Sequence, residues 1–526
     1  MRNLLIRFLA PVLVAAAAIF ALVSTASESQ HGGRTPQLAR PLVDPDDKAV
    51  RAARKPYVVL IVMDELPGDS LRGPDGRIDA RRWPHFASFA RNATWFPNAF
   101  TSYDSTPKAT PLILDGKRPS KGLPPDHRGH PRTIFDMLGR RGYRIRASEE
   151  ATAICPRRWC PGARTRRPGI LGNLNRGRRE RFEQFIASIR PGKPTFWMKH
   201  VLLPHGPYMF LPSGKQTRAG AKDPIPGMNS PQGFHDSFLT RHNEQRYLLQ
   251  LGFADRELGR LLDRLVRLGM YDDTLLVLVA DHGMDFEIGV KDRRRVSSRN
   301  IQEIGTVPLF VKAPGQRRSR VNGSYASTLD VTPTIADVLN LRLPYRADGR
   351  SAFSRAVRRR RTVSLPTRDF SRRIRISARP YERRRRAVMR RRLRYYGSGL
   401  TGLYRGIGPN RDLLGRSLPG LRTAGPGSVR GSLVGRRAYA SVRASSLVVP
   451  AQVAGSLQGG RRGAQRDLAV AVNGRIEAVA RSFYLRGDRR EHFSAMVPEE
   501  TLHEGRNSVA VYEVGRARML RLLART

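Results

Sequence analysis

The sequence predicts an α/β fold, a mostly parallel sheet flanked by helices. Two apolar runs, residues 58–63 and 275–280, have the length of strands and contain many β-branched side chains. An unbroken apolar run of this length is typical of a strand that is buried on both faces, as in a parallel sheet. Strand-like and helix-like runs alternate from about residue 56 to residue 345. Such alternation is the pattern of parallel α/β sheets.

The elements of this sheet follow in chain order from their hydrophobic patterns. Strands are predicted at residues 58–63, 194–203, 275–280 and 307–312. Helices are predicted at residues 131–142, 176–190 and 243–269. Leucines recur at helical spacing in the last of these ranges, which indicates a helix face that packs in the core.

The chain of 526 residues is long enough for more than one domain. After Asp348 the composition changes to arginine runs, at 358–361 and 383–386, and then to Gly-rich sequence, which predicts a solvated linker. From residue 438 short strand-like runs alternate, and Asn473-Gly474 supplies a hairpin turn, which predicts a small β-sandwich-like domain. The predicted parts are a signal peptide or membrane anchor (1–26), a linker (27–54), the α/β domain (55–348), an Arg/Gly-rich linker (349–437) and the β-rich C-terminal domain (438–526).

The N-terminus has the pattern of an export signal. Arg2 and Arg7 precede and flank an apolar stretch at 8–23, and the small residues 24–26 offer a cleavage site. A cleaved signal peptide and an uncleaved membrane anchor both agree with this pattern. Either one places the rest of the chain outside the cytoplasm, so we expect a membrane-anchored or secreted protein.

The chain contains two cysteines, Cys155 and Cys160. In an exported protein a close pair of this kind is most simply a local disulfide that fixes a loop. A zinc site would need more soft ligands nearby, and the sequence offers none there.

The formal net charge is +51, and arginine supplies most of the basic residues. Such a charge favours anionic partners, among which an anionic lipid surface or a cell-envelope glycan fits an exported chain. Biased use of arginine codons is the other explanation, and it implies no partner. Nucleic acid is not expected, because the chain carries no recognised nucleic-acid-binding motif.

Metal-ligand residues follow the two apolar runs directly. Asp64 and Glu65 follow the first run, and Asp281 and His282 follow the second. Open α/β sheets place their chemistry just beyond the carboxyl ends of such strands. Three carboxylates and one imidazole at one edge of a sheet predict a site for one divalent cation.

A hydroxyl-rich segment lies between these two strands in the chain. An apolar run follows it, so that one hydroxyl is expected near the N-terminus of a helix, where an anion is favoured and a nucleophile is activated. By pattern alone, each hydroxyl is either a nucleophile or a helix cap. The candidates are Ser102, Ser105, Thr106 and Thr110.

Six segments in a fixed order carry a family resemblance. They are Val-Leu-Ile-Val-Met-Asp-Glu at 59–65, x-Thr-x-x-Ala-x-Pro-x-x-Leu-x-Gly at 105–116, Leu-Pro-His-Gly-Pro-Tyr at 203–208, Val-Ala-Asp-His-Gly at 279–283, Val-Pro-Leu-Phe-Val-Lys-Ala-Pro-Gly at 307–315 and Asp-Val-Thr-Pro-Thr-Ile at 330–335. Together they resemble the sulfatase branch of the alkaline phosphatase superfamily. The resemblance covers about residues 55–345 and says nothing about the C-terminal domain.

The resemblance implies a role for each matching residue. It implies that Thr106 is the nucleophile and that His205 contacts the anionic group or the leaving group. Lys108 and Lys199 are weaker candidates for binding the negative charge of the ester. The implied metal ligands are Asp64, Glu65, Asp281 and His282.

The chain departs from sulfatases proper at the nucleophile. Those enzymes need Cys or Ser in Cys/Ser-x-Pro-x-Arg, which is modified to formylglycine, whereas this chain has Ser-Thr-Pro-Lys-Ala at 105–109. A threonine nucleophile resembles instead the lipoteichoic acid synthase and phosphoethanolamine transferase branches. This resemblance implies a bound manganese or zinc ion. Calcium or magnesium would also agree with the predicted ligands. Asp115 stands where the family usually has Thr.

The expected function is therefore that of a metal-dependent hydrolase or phospho-group transferase with a Thr nucleophile. It would act on phosphate or sulfate esters outside the cytoplasm, in a lipid or an envelope glycan. The sequence leaves open which ester is cleaved and whether water or an alcohol accepts the group. The alternative is a non-catalytic envelope protein that binds polyanions through its arginine-rich surface.

Overall fold

The computed structural model describes residues 55–162, 170–230, 233–290, 292–425 and 427–526. The predicted signal or anchor segment, 1–26, and the first linker, 27–54, lie outside the described residues. Within the described ranges, no helix is both long and apolar enough to cross a lipid bilayer.

A seven-stranded sheet forms the centre of the α/β part. Its strands are β1 (Tyr57–Asp64), β2 (Thr94–Trp95), β3 (Arg144–Ser148), β4 (Thr195–Pro204), β5 (Thr274–Ala280), β6 (Leu309–Lys312) and β7 (Arg320–Val321). The strand order is β3-β4-β1-β5-β6-β2-β7. The first four strands in this order run parallel, whereas β6 is antiparallel to both β5 and β2. The predicted α/β class is thus confirmed, and the four predicted strands correspond to β1, β4, β5 and β6.

The three central strands are buried along their whole length, as their apolar runs predict. Strand β1 lies between β4 and β5. In this register Met63 is opposite Ala280, and Val62 is opposite His200. The residues that follow β1 and β5 therefore lie side by side at the carboxyl edge of the sheet.

Helices pack around this sheet. They are α1 (Pro84–Arg91), α2 (Thr106–Asp115), α3 (Ile134–Gly139), α4 (Ile170–Asn175), α5 (Arg178–Ala187), α6 (Ser237–Arg267), α7 (Ile301–Gly305), α8 (Val331–Val338), α9 (Arg355–Arg358), α10 (Ala378–Tyr396) and α11 (Thr401–Arg405). The predicted helices correspond to α3, α5 and α6. Helix α6 begins earlier than predicted because Asp236 caps it, accepting a hydrogen bond from the backbone N–H of Leu239 at 2.7 Å.

Short 3-10 turns connect several of these elements. They are Gly68–Leu71, Gly233–His235, Thr328–Asp330, Arg411–Leu413, Leu418–Gly420, Arg436–Tyr439, Glu499–Thr501 and Arg516–Arg518.

The segment 349–437, predicted to be a solvated linker, contains folded structure, and that part of the prediction is wrong. It forms an antiparallel hairpin of β8 (Thr362–Pro366) and β9 (Arg373–Ser377), followed by the long helix α10. The arginine run at 383–386 lies in α10, and one of its members, Arg385, is 2% exposed.

Buried arginines of α10 hold this helix against the α/β part. The Arg385 guanidinium is bidentate to Asp69, with Nε and Nη2 each 2.8 Å from a carboxylate oxygen. Arg392 Nε donates to Glu244 Oε1 at 3.0 Å. Asp69 and Glu244 lie far from these arginines in the sequence. Composition alone therefore predicts that the arginines are solvated.

The C-terminal part is β-rich, as predicted. Its strands are β10 (Thr423–Ala424), β11 (Arg430–Leu433), β12 (Gln452–Gln458), β13 (Asp467–Val472), β14 (Arg475–Arg481), β15 (Phe483–Tyr484), β16 (Glu491–Met496), β17 (Val509–Val514) and β18 (Leu520–Arg525). They form a five-stranded sheet, β10-β18-β17-β13-β14, and a four-stranded sheet, β11-β12-β16-β15. Asn473 and Gly474 both have positive φ in the β13–β14 turn, the backbone that a tight Asn-Gly hairpin turn requires.

The β-rich part packs directly on the α/β part. His242 of α6 shares a 2.8 Å hydrogen bond with Ser494 Oγ of β16, and Gln216 N donates to the carbonyl oxygen of Leu447 at 2.7 Å. Residues Lys55–Thr526 form one compact unit.

The two cysteines are close to β3 in the chain. Cys155 and Cys160 form a disulfide, as predicted, and both are buried. The bond closes the loop that follows β3.

Candidate active site

Two carboxylates meet where β1 and β5 end. Asp64 and Asp281 are both fully buried. Oδ1 of Asp281 accepts hydrogen bonds from the backbone N–H groups of His282, at 2.6 Å, and Glu65, at 3.3 Å. The Oδ2 atoms of Asp64 and Asp281 have no hydrogen-bond partner among the described residues.

A histidine that the sequence analysis missed joins these two carboxylates. His200 of β4 is fully buried, and its Nε2 lies 3.6 Å from Asp64 Oδ2. Neither ring nitrogen has a hydrogen-bond partner within the described part of the chain. Burial and the charge of Lys199 lower the pKa of His200 to about 3, so the imidazole is neutral and can donate a lone pair.

These three side chains form a cluster that fits a divalent cation. One ligand atom from each of Asp64, His200 and Asp281 lies within 4.8 Å of the others. Burial, together with the charge of Asp281, raises the pKa of Asp64 well above its usual range, and burial raises that of Asp281 to about 7. Such shifts reflect the cost of burying neighbouring carboxylates without a counter-charge. The orphaned oxygens and the free imidazole are the donor set that such an ion takes.

The Thr106 hydroxyl lies beside this cluster. Its Oγ1 is 3.4 Å from Asp64 Oδ1 and 3.3 Å from His282 Nε2. His282 Nδ1 is 2.9 Å from the carbonyl oxygen of Gly283, which can only accept, so the proton resides on Nδ1 and Nε2 is an acceptor. Thr106 can therefore donate its proton to either neighbour.

Local sequence places this threonine at the start of a helix. Ser105 has extended backbone angles at the N-cap of α2, and Pro107 occupies the first turn, where its missing N–H costs nothing. Gly116 ends the helix in the left-handed region, at φ 67°, and its N–H bonds to the carbonyl oxygen of Leu112. The positive end of the helix dipole is thus near Thr106 and favours an anionic group there.

Glu65 belongs to a neighbouring group and lies outside the three-residue cluster. Its carboxylate is 3.2 Å from Arg293 Nη2, 3.5 Å from Arg294 Nε and 3.3 Å from His205 Nε2. Burial opposes ionisation, but Arg293 and His205 outweigh it and hold the pKa of Glu65 below its usual range. The charge of Glu65 is thus already balanced by neighbouring side chains. Its role as a metal ligand stays a prediction.

His205 is held rigidly next to Glu65. Its Nδ1 is 2.6 Å from the carbonyl oxygen of Gly206. Arg178 of α5 donates to the carbonyl oxygens of His205, at 2.6 Å, and Pro207, at 2.7 Å. Burial, opposed by Glu65, lowers the pKa of His205 to about 4.

The two predicted substrate-binding lysines point elsewhere. Lys199 is buried and pairs with Glu150, and its Nζ also lies 2.9 Å from Ser148 Oγ. Successive side chains of a strand point to opposite faces, so Lys199 and His200 lie on opposite sides of β4. Lys108 Nζ donates to the carbonyl oxygens of Ser120 and Leu123. The structure brings neither ammonium to the cluster.

Weak signals for the missed residues were present in the sequence. His200 and the adjacent Lys199 interrupt the apolar run of β4, and a histidine buried inside a sheet needs a polar partner. Arg293 and Arg294 belong to a three-arginine run that follows the Asp-His-Gly segment. Pattern alone does not show that these arginines fold back on Glu65.

The loop before Thr106 is fixed by a residue from the arginine-rich segment. Asp104 is fully buried, and its carboxylate accepts hydrogen bonds from Val296 N, at 2.8 Å, and Arg368 Nε, at 3.3 Å. Arg368 lies in the β8–β9 turn and also donates to Asp292 at 2.5 Å. One guanidinium thus joins three loops around the site.

Comparisons with known proteins match the α/β part. The family described as Sulfatase matches residues 56–341, more than half of the chain. Choline-sulfatase of Rhizobium meliloti (strain 1021) is 24% identical over 362 residues, which cover 55% of this chain and 68% of that protein. The multifunctional alkaline phosphatase superfamily protein PehA of Trinickia caryophylli is 23% identical over 300 residues, 49% of this chain and 56% of that protein. The match thus spans about two thirds of the first relative and just over half of the second.

A solved structure is similar over the same part. The phosphonate monoester hydrolase SpPMH from Silicibacter pomeroyi has a TM-score of 0.41 and 19% sequence identity to this chain, over 59% of this chain and 79% of that one.

Proposed function

The chain belongs to the sulfatase family, and we propose that it cleaves sulfate or phosphate esters with Thr106 as the nucleophile and one divalent cation. As a member of this family it is an enzyme of the alkaline phosphatase superfamily. The observation that carries the proposal is the position of the Thr106 hydroxyl. It lies within 3.4 Å of both Asp64 and His282, at the N-terminus of a helix and next to the buried cluster.

Asp64, His200 and Asp281 are the residues that would hold the cation. Two carboxylates and one imidazole favour manganese or zinc over calcium, which prefers oxygen ligands alone. A divalent cation bound there would neutralise charge on the ester and lower the pKa of a nearby hydroxyl.

The chain's own residues then divide the remaining chemistry. The Thr106 hydroxyl gives its proton to His282 Nε2 or Asp64, and its oxygen bonds to the sulfur or phosphorus of the ester. The bond from that atom to the leaving oxygen breaks, and the leaving oxygen takes a proton. Water or an acceptor alcohol then attacks the ester on Thr106 and restores the hydroxyl.

His205 is the proposed donor of the proton to the leaving oxygen. Its Nδ1–H is occupied by the Gly206 carbonyl oxygen, so Nε2 is the nitrogen that would carry the transferred proton. Burial disfavours the charged imidazole in the free enzyme, whereas a bound anionic ester and Glu65 favour it. Glu65 would position His205 and balance its charge during the transfer.

The nature of the ester and of the acceptor belongs to the proposal as well. The names of the relatives include a choline-sulfatase and a phosphonate monoester hydrolase, which supports testing both sulfur and phosphorus esters. We place the enzyme outside the cytoplasm, membrane-anchored or secreted, and the disulfide agrees with an oxidising compartment. Its substrate would then be an ester in a lipid or an envelope glycan.

Trapping the covalent intermediate tests the nucleophile. We expect mass spectrometry to find a sulfate or phosphate adduct on Thr106 after incubation with aryl sulfate or aryl phosphate and Mn²⁺ or Zn²⁺. Thr106→Ala should lower turnover at least ~10⁴-fold, as loss of a covalent nucleophile does, and leave the bound metal unchanged.

Ser105→Ala is the matched control, because this neighbouring hydroxyl makes no capping hydrogen bond. The control should keep most of the activity. Full activity of Thr106→Ala would refute the nucleophile assignment. Absence of both bound metal and turnover in the wild-type chain would favour the non-catalytic, polyanion-binding alternative.

A further inference from the structure

A polar cavity of about 470 Å³ lies between two loops of different origin. One wall is the segment 292–300, which follows the Asp-His-Gly residues. The other wall is the β8–β9 turn, residues 367–372, which lies outside the range that matches the sulfatase family. A volume of this size is within the range of small-molecule sites.

Both walls are connected to the candidate active site. The first wall supplies Arg293 and Arg294 to the Glu65 carboxylate and the backbone N–H of Val296 to Asp104. The second wall is held to Asp104 through Arg368, which also bonds to Asp292 of the first wall. The cavity therefore adjoins the loops that position Thr106 and His205.

The cavity lining carries an excess of unpaired positive charge, because two of its arginines have no acidic partner. Arg295 comes from the first wall and Arg372 from the second, and both residues are exposed. Neither guanidinium forms a hydrogen bond or ion pair with another described residue. Each wall thus offers one guanidinium with its full set of donors available.

The acidic residues of the lining are already satisfied. Asp292 accepts from Arg368 and from the backbone N–H of Arg294. The Asp369 carboxylate accepts from Thr367 Oγ1 and from Ser371, inside its own turn. Only Asp292 has a cationic partner, so an anion that enters the cavity would meet two unpaired guanidinium groups, on Arg295 and Arg372, against one carboxylate, on Asp369.

We propose that this cavity is a subsite for a second anionic group of the substrate. The substrate class is an ester that carries two anionic groups, of which one reacts at Thr106 while the other, a carboxylate, sulfate or phosphate, lies between Arg295 and Arg372. Guanidinium groups suit this task because they bind such oxyanions in a bidentate manner. The inference rests on the proposed function for the identity of the reacting group.

Binding of small sulfonates tests the subsite without turnover. Calorimetry would compare benzenesulfonate with benzenedisulfonate and the longer biphenyldisulfonate, on the full chain with Mn²⁺. We expect at least one disulfonate to bind roughly tenfold more tightly than the monosulfonate, as one added charge-assisted contact allows. Arg295→Gln and Arg372→Gln should each remove most of this preference and leave monosulfonate binding unchanged.

Arg299→Gln is the matched control, since Arg299 is exposed on the same loop but does not line the cavity. It should retain the preference for the disulfonate. An equal loss in all three variants, or no preference in the wild-type chain, would overturn the subsite. Turnover of aryl sulfate and aryl phosphate is measured separately. A wild-type chain that prefers the disulfonate but cleaves neither ester would refute the proposed function and keep the subsite.

Discussion

The candidate active site and helix α10 both bury charged residues, but they differ in how those charges are balanced. At the site, Asp64, His200 and Asp281 keep buried polar atoms with no partner among the described residues. In α10, Arg385 and Arg392 form ion pairs with Asp69 and Glu244, so their charges are balanced even though Arg392 Nη1 has no hydrogen-bond partner among the described residues. Burying an unpaired charge lowers the free energy of unfolding, whereas an ion pair offsets part of this loss. The comparison indicates that unbalanced buried charge marks the site that binds a ligand, and balanced charge marks structure.

The largest expected effect comes from Asp64→Asn. We expect turnover to fall at least ~10³-fold, because a metal site supplies several kcal/mol of charge stabilisation. The metal-free variant should nevertheless unfold at the same temperature as the metal-free wild type or higher, since it loses an unpaired buried charge. Metal analysis, kinetics and thermal unfolding measure the three quantities. A marked loss of stability in the metal-free variant would contradict the comparison.

Arg385→Met should show the opposite behaviour. Removal of this guanidinium takes away the bidentate partner of the buried Asp69 carboxylate and leaves only Arg72, 3.3 Å away, which we expect to cost about 3 kcal/mol of unfolding free energy. Arg386→Met is the control, because Arg386 is exposed on the same helix and its loss should change stability by less than ~1 kcal/mol. Denaturant unfolding compares the two variants. Equal effects would mean that the Arg385–Asp69 pair does not hold α10 in place.

Arg368 of the β8–β9 turn contacts Asp104 and Asp292 next to the site, and its replacement should affect the reaction more than the fold. Arg368→Ala frees Asp104 two residues before Thr106, so we expect kcat to fall roughly 10–100-fold through lost positioning, with a smaller change in KM. Arg368→Lys should recover part of kcat because it keeps one donor. If the lysine variant is no better than alanine and both variants unfold early, Arg368 has only a structural role.

The smallest expected effect concerns Asp255, a buried carboxylate distant from the site. It accepts hydrogen bonds from the backbone N–H groups of His85 and Phe86 at the start of α1, and burial raises its pKa to about 7. Between pH ~3.9, the pKa of this carboxyl in the unfolded chain, and the folded-state pKa, the folded chain holds a proton that the unfolded chain has released. The contribution of Asp255 to the free energy of unfolding is therefore fully present below pH ~3.9, and it is lost as the pH rises to about 7.

Asp255→Asn should remove this part of the pH dependence. Unfolding midpoints measured between acidic and neutral pH, for the variant and the wild type, give the difference. Parallel curves for the two proteins would show that Asp255 titrates normally in the folded state.

Local pattern was sufficient for much of the fold. The apolar runs of β1 and β5, the leucine spacing of α6 and the Asn473-Gly474 turn each reflect a short-range preference, and each occurs in the structure. The disulfide between Cys155 and Cys160 belongs to the same class, since its cysteines are close in the chain. The sequence also places Asp64 and Asp281 at one edge, because parallel neighbouring strands end on the same side.

Only the tertiary structure decided which charges meet. His200 joins Asp64 and Asp281 because β4 lies next to β1, and strand order depends on the packing of the whole sheet. Lys199 lies on the opposite face of the same strand, and Glu65 is taken up by Arg293, a residue more than two hundred positions away. Residue spacing sets local conformation, but the balance of buried charge depends on long-range contacts, so the sequence determined the strands of this enzyme and the fold determined its site.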